Sequence, residues 1–358
     1  METKDLIARD IDSLYRKLYI SSNSKKELYS RDFSSISILN QMINGIQLDN
    51  PFPINRSRLL SEEILNGFEK LYSISLGAIK GYQKMDFKLF EGMDTNLSMS
   101  AKKDLLREFL EYLGSPFLEL YRELVNSNRV LFVDDESIEG EAICLPTLNS
   151  YYLCISNYYN QDLVDIETIV HELSHIYSLK FLSNYRNPKY NLIYNFYGET
   201  IPLLVELLYY YYLLEHHSFE EIIRRHRNQQ DANMLYHYKT IYYLYHVLGM
   251  DNISFSCDNV NYVIDGNIHL DHFEGEYYQF GEEYKRGDLT SFNYAVSNIK
   301  AHELCSQILN GKEPIKAINE HLISTQYDGI FSKEKITPSN MLEGVHKRNR
   351  ELRRLYKF

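Results

Sequence analysis

His171 and His175 stand four residues apart with Glu172 beside the first, in the run His171-Glu172-Leu173-Ser174-His175. On a helix of 3.6 residues per turn, positions four apart share a face, so the two imidazoles converge. Imidazole nitrogen is a common zinc ligand, and a carboxylate beside such a pair can take a proton from a metal-activated water without binding the metal. Residues 165–170 and 176–179 contain neither Pro nor Gly, as an uninterrupted helix requires.

A hydrolytic zinc takes three protein ligands and keeps a fourth position for water. Beyond His175 no His occurs before Glu199, which lies 24 positions on. Ser178 and Phe181 stand where the longer HExxHxxGxxH pattern would carry its Gly and third His. Elimination leaves a two-His, one-Glu set of metal ligands: His171, His175 and Glu199. Glu199 follows Gly198 and precedes Pro202, a residue tolerated in the first turn of a helix. The apolar run Leu203, Leu204, Val205, Leu207, Leu208 is interrupted by Glu206, two turns after Glu199 and almost on its face. A carboxylate there is costly to bury unless it is paired, so Glu206 is expected to accept a hydrogen bond from a ligating His or a nearby donor. The competing reading puts both carboxylates in solvent on an amphipathic helix.

These elements resemble the thimet oligopeptidase and oligoendopeptidase F family of zinc metallopeptidases. The resemblance rests first on the HExxH run and on Glu199-Thr200-Ile201-Pro202-Leu203-Leu204-Val205-Glu206. Residues 139–146 and 150–157 are similar to the paired strands that lead into the family's active-site helix, and residues 294–311 to a helix near its C-terminus. The likeness covers about residues 130–315. It implies a gluzincin-type endopeptidase with one Zn2+ per chain, Glu172 as general base and Tyr294 as the donor that stabilises the oxyanion. The family's histidine ten residues before that tyrosine falls on Tyr284 here, a departure from the pattern, with His269, His272 and His302 as candidate substitutes. The family also carries a long N-terminal half that walls a deep channel. Only 170 residues precede His171, so a reduced lobe and a shallower or differently walled cleft are expected.

The elements that must hold these groups are mostly helical. Leu105, Leu106, Phe109, Leu110 and Leu113 share one helical face, and the chain breaks at Gly114-Ser115-Pro116. Short β-prone runs occupy about 129–157, and helical patterns resume after 160. The expected architecture is mostly α (α+β): a helical N-terminal lobe over 1–128 and a zincin-like catalytic domain over 129–358, with a small sheet beside the active-site helix. A substrate backbone could add to an exposed edge of that sheet. Tyr209–Tyr212 read as core with wet edges rather than a ligand cage.

Composition narrows the partners. A net charge of −11 argues against general affinity for nucleic acid or acidic membranes. No apolar stretch reaches the length of a membrane span, the N-terminus has no signal-peptide pattern, and four cysteines without a CxxC pair read as free thiols. A cytoplasmic protein acting on peptide substrates is expected, of unknown oligomeric state. The alternative is a site-specific regulatory or processing metalloprotease that cleaves one partner protein. Its repressor-cleaving examples typically follow the third-ligand Glu with Ala-Asn, which Thr200-Ile201 does not supply. A non-catalytic peptide-binding module would have no need of Glu172.

Overall fold

The computed structural model describes residues 97–133, 142–146, 151–156, 162–183, 198–217, parts of 220–238, 290–324 and 338–356. Most of the expected N-terminal lobe, together with His269, His272 and Tyr284, lies outside the described residues. Within them the chain is mostly helical. In order come α1 (Met99–Leu113), α2 (Ser115–Asn126), β1 (Val130–Val133), β2 (Ala142–Pro146), β3 (Tyr151–Ser156), α3 (Asp162–Ser183), α4 (Thr200–His216), α5 (Thr290–Leu309), α6 (Pro314–Ser324) and α7 (Pro338–Tyr356).

Ser98 caps α1 by accepting the Ala101 N–H at 3.2 Å, which satisfies one of the donors a helix start leaves open. The apolar face of α1 is buried along its whole length, from Leu105 to Leu113. The helix stops at Gly114, whose φ of 127° and ψ of 158° lie in a region essentially reserved for glycine. Pro116 then opens α2, where its missing N–H leaves no bond unmade. A Cβ on Gly114 would meet Ile315 Cγ1 at 2.8 Å, so the turn also brings α6 close.

The strands form one sheet in the order β1-β3-β2. β2 runs antiparallel to β3, with Cys144 opposite Leu153, while β1 runs parallel to β3, with Val130 opposite Leu153. Strands β2 and β3 pack against α3. That helix buries a stripe of Ile166, Ile169, Val170, Leu173 and Ile176 at the three- and four-residue spacing of one face. Each such side chain contributes about 1.5–3 kcal/mol of transfer free energy. A buried ion pair, Lys102 Nζ to Asp165 Oδ2 at 3.0 Å, ties α1 to the start of α3.

Helix α4 is the centre of the described residues. Every residue from Thr200 to Leu213 is buried, as a helix apolar all round requires. It lies against α3 on one side and α5 on the other, and α7 packs on α5. The four tyrosines of α4 belong to this core. Tyr209 packs edge-on to Phe109 with ring centroids 5.0 Å apart, Tyr210 donates its hydroxyl to Glu167, and Tyr211 donates to Glu351 at 2.6 Å. Tyr212 also rests on Phe109. Cys305 on α5 is a free, buried thiol. No helix among the described residues is long and apolar enough to cross a membrane.

Candidate metal centre

The face of α3 opposite its apolar stripe carries His171, Glu172 and His175, all partly buried. Their ring centroids lie 5.0 Å apart at 70°, and the two Nε2 atoms are 3.2 Å apart. Glu199 reaches the same point from the start of α4. It occupies the N-cap position in a helical backbone conformation, and its side chain makes no capping bond, which leaves the carboxylate available to α3. Its Oε2 lies 3.3 Å from His171 Nε2 and 3.4 Å from His175 Nε2.

These three atoms form a nearly equilateral triangle. Zinc bonds of about 2.0–2.1 Å at tetrahedral angles separate donor atoms by about 3.3 Å, so the triangle has the dimensions of three ligands of one zinc. Glu199 Oε2 is buried and has no hydrogen-bond donor aligned on it, although two ring nitrogens are close. An orphaned carboxylate oxygen in that position fits a metal ligand better than a structural acceptor. Glu172 also belongs to the cluster, since its carboxylate and the two imidazoles fall within 4.8 Å of one another. Its Oε1 is 4.0 Å from His171 Nε2, longer than the tetrahedral edge. Glu172 therefore stands beside the triangle formed by the other three side chains and does not complete it.

A second layer holds the first. Glu206 Oε1 lies 2.5 Å from His171 Nδ1, a hydrogen bond that orients the ring and turns Nε2 toward Glu199 and His175. Asn293 Oδ1 accepts the Glu199 backbone N–H at 3.4 Å and the Ser297 hydroxyl at 3.1 Å, while Thr200 donates its hydroxyl to Ser297 at 3.2 Å. The polar start of α5 thereby anchors the turn that presents Glu199. Behind Glu206, Glu167 accepts from Tyr210 and from Gln230 Nε2, the latter at 3.4 Å. Neither Asn293 nor Glu167 belongs to a recognisable motif. Glu167 has one weak signal, its position one turn before His171.

The ionisation pattern reflects a crowd of carboxylates. Burial alone would lower the basicity of His171, but the nearby carboxylates of Glu199 and Glu206 hold it well above the usual histidine range. Burial would raise Glu199, yet the two nearby histidines, His175 and then His171, carry it well below the usual carboxylate range. Glu206 is pushed up by burial and by Glu167, against the pull of His171. Tyr294, on the first turns of α5, is pushed far up by burial and then by the charges of Glu199, Glu206 and Glu172, which keeps its phenol protonated.

Of the candidate substitute histidines, His302 is the one within the described residues. It is fully buried, and burial followed by Arg227 and Arg348 lowers its pKa well below the usual value. It lies eight residues and about 80° around the helix from Tyr294. The histidine beside Tyr294 is instead His237, from the helical residues 233–238. Its ring lies parallel to the Tyr294 ring at 7°, with centroids 4.6 Å apart.

No family model and no curated protein matches the sequence. Solved structures do match. PZ peptidase A with an inhibitor superposes with a TM-score of 0.55 at 13% identity, over 90% of this chain and 65% of that one. A structure assigned to oligoendopeptidase F gives a TM-score of 0.55 at 14% identity, over 90% of this chain and 64% of the other. The chain shares their fold. It spans a little under two thirds of their length, and the resemblance to oligoendopeptidase F carried by the sequence motifs is thus matched by the backbone.

Proposed function

We propose that the chain is a zinc-dependent metallopeptidase that hydrolyses peptide bonds in oligopeptides. The observation that carries this reading is the triangle of His171 Nε2, His175 Nε2 and Glu199 Oε2, with edges of 3.2, 3.3 and 3.4 Å and Glu172 beside it. The fold shared with PZ peptidase A and oligoendopeptidase F supports the same reaction class.

Zinc held by His171, His175 and Glu199 would supply Lewis acidity, polarising the scissile carbonyl and bringing the pKa of a water near neutrality. Glu172 takes the proton of the attacking water and passes it to the amine nitrogen as the C–N bond breaks. Tyr294, protonated at all working pH values because burial and the glutamates raise it, donates its O–H to the carbonyl oxygen as charge gathers there. Glu206 holds the His171 ring and its tautomer through Nδ1.

Purified protein should contain about one zinc per chain. Glu172→Gln should retain that zinc and lose hydrolysis of a quenched fluorescent peptide by at least ~100-fold. Unchanged hydrolysis by Glu172→Gln would place the chemistry elsewhere, and a folded protein that binds no zinc would end the proposal.

A further inference from the structure

We propose that His237 is a positioning residue of this site: stacked face to face on Tyr294 and turned by Ser291, it fixes the direction in which the Tyr294 hydroxyl points. The inference rests on the peptidase reading for its consequence, but the lock itself is a property of the folded chain.

The ring planes of His237 and Tyr294 diverge by 7° with centroids 4.6 Å apart. At a plane spacing of about 3.5 Å, that separation means an offset of about 3 Å, the stacked arrangement that aromatic quadrupoles favour. Among the described residues the stack is the one ring contact of Tyr294, and none of them makes a hydrogen bond to its hydroxyl. Its ring angle is therefore set by packing, and the parallel imidazole is the flat surface against which it packs. His237 is itself oriented from α5, because its Nδ1 lies 3.2 Å from Ser291 Oγ. Ser291 sits three residues before Tyr294, on the same face of the same helix. One turn of α5 thus supplies both the phenol and the anchor of the ring that clamps it.

Burial holds His237 down to about 4, against the pull of Glu199. A neutral imidazole can accept the Ser291 hydroxyl at Nδ1, and it stacks without placing a second cation beside the metal ligands. The direction of the phenol matters because a donor must lie about 2.7–3.1 Å from where charge develops, and a misplacement of about 1 Å can cost on the order of 100-fold in rate.

Zinc-loaded wild type, His237→Ala, His237→Phe, Tyr294→Phe and the His237→Ala/Tyr294→Phe double variant are compared on one fluorogenic peptide. His237→Ala should lower kcat about 10- to 100-fold with KM changed little. His237→Phe keeps a flat ring and should restore most of that loss. In the Tyr294→Phe background, where no hydroxyl remains to aim, His237→Ala should cost almost nothing more. Wild-type kcat in His237→Ala overturns the proposal, as does a full additional loss on Tyr294→Phe. Equal loss in His237→Ala and His237→Phe also overturns it, since the imidazole itself would then be required. If zinc-loaded wild type cleaves no peptide, the peptidase reading fails separately, and the lock is decided by melting of the metal-free proteins. There, non-additive Tm changes for His237→Ala and Tyr294→Ala support the stack, and additive changes overturn it. Should His237→Ala not fold, His237→Leu takes its place as the variant that fills space without stacking.

Discussion

Removing the Glu206 carboxylate should weaken zinc binding while leaving the metal-free fold no less stable. Glu206 Oε1 accepts from His171 Nδ1 at 2.5 Å, and its side chain is 10% exposed, so little solvent screens the bond. A hydrogen bond to a charged acceptor contributes about 1.5–3 kcal/mol. The loss of a group that orients a metal-binding His costs about 10- to 100-fold in affinity, or about 1.4–2.8 kcal/mol, the same range reached independently. Glu206→Ala should therefore weaken zinc 10- to 100-fold, and Glu206→Gln, which keeps a neutral acceptor, nearer ~10-fold. Stability of the metal-free protein should respond differently. Glu206 is buried beside Glu167, and burial and that neighbour both disfavour its charge. Glu206→Gln removes that repulsion, so its melting temperature in chelator should stay level or rise, whereas the zinc-dependent increase in Tm should shrink. Competition against a chromogenic chelator gives the affinity, and melts with and without chelator separate the two effects. Zinc affinity within threefold of wild type for Glu206→Ala would refute the argument. So would a metal-free Tm for Glu206→Gln that falls as far as the zinc-bound Tm.

The remaining predictions concern particular positions. His237 has its pKa depressed in the folded protein, so the unfolded chain binds the extra proton first. The stability contributed by keeping this ring neutral is fully present above pH ~6.5 and is lost as pH falls through the window down to about 4. The loss should approach about 3 kcal/mol, and urea melts of wild type and His237→Phe should converge or cross toward acid. Parallel curves from pH 7 to 4 would contradict this. Gly114→Ala places a side chain at a φ of 127° and against Ile315, so it should cost about 1–3 kcal/mol in denaturant melts, with zinc affinity unaltered. Asn293→Ala removes the acceptor of the Glu199 N–H, and it should weaken zinc by several-fold, on the order of 1 kcal/mol, without touching a ligand atom.

What could be read from the sequence tracks how local each relation is. His171, Glu172 and His175 lie within about one turn, so helix geometry alone converges them, and the same holds for Glu199 and Glu206 at two turns. Their meeting across 24 residues follows from elimination of ligands, and the packing of α3 on α4 brings the atoms to 3.3–3.4 Å. The apolar face of α1 and the break at Gly114 were legible for the same reason. The parallel pairing of β1 with β3 was not, because β-propensity carries no strand direction. His237 could not be found by spacing, since it comes from a helical stretch without a motif and meets Tyr294 only through tertiary packing. His302, on the same helix as Tyr294, is fully buried and lies about 80° around that helix from it.

Charge explains why so many acids occupy one small region. Glu172, Glu199, Glu206 and Glu167 approach His171 and His175 from two helices, all of them half-buried or buried. Arg227 acts on Glu206 and lies over the Tyr210 ring, and it also pairs with Asp231 at 2.8 Å. Glu199 and Glu206 hold His171 well above the usual histidine range, so the ring carries a proton that offsets one of these charges. A divalent cation at the triangle would offset two negative charges where that proton offsets one, and it would satisfy the orphaned Glu199 oxygen. Zinc binding should accordingly release protons and tighten with rising pH as His171 gives up its own. Calorimetric titration in buffers of different ionisation enthalpy measures that release. A zinc affinity independent of pH from 6 to 8 would show that the carboxylates are neutralised by something other than the metal.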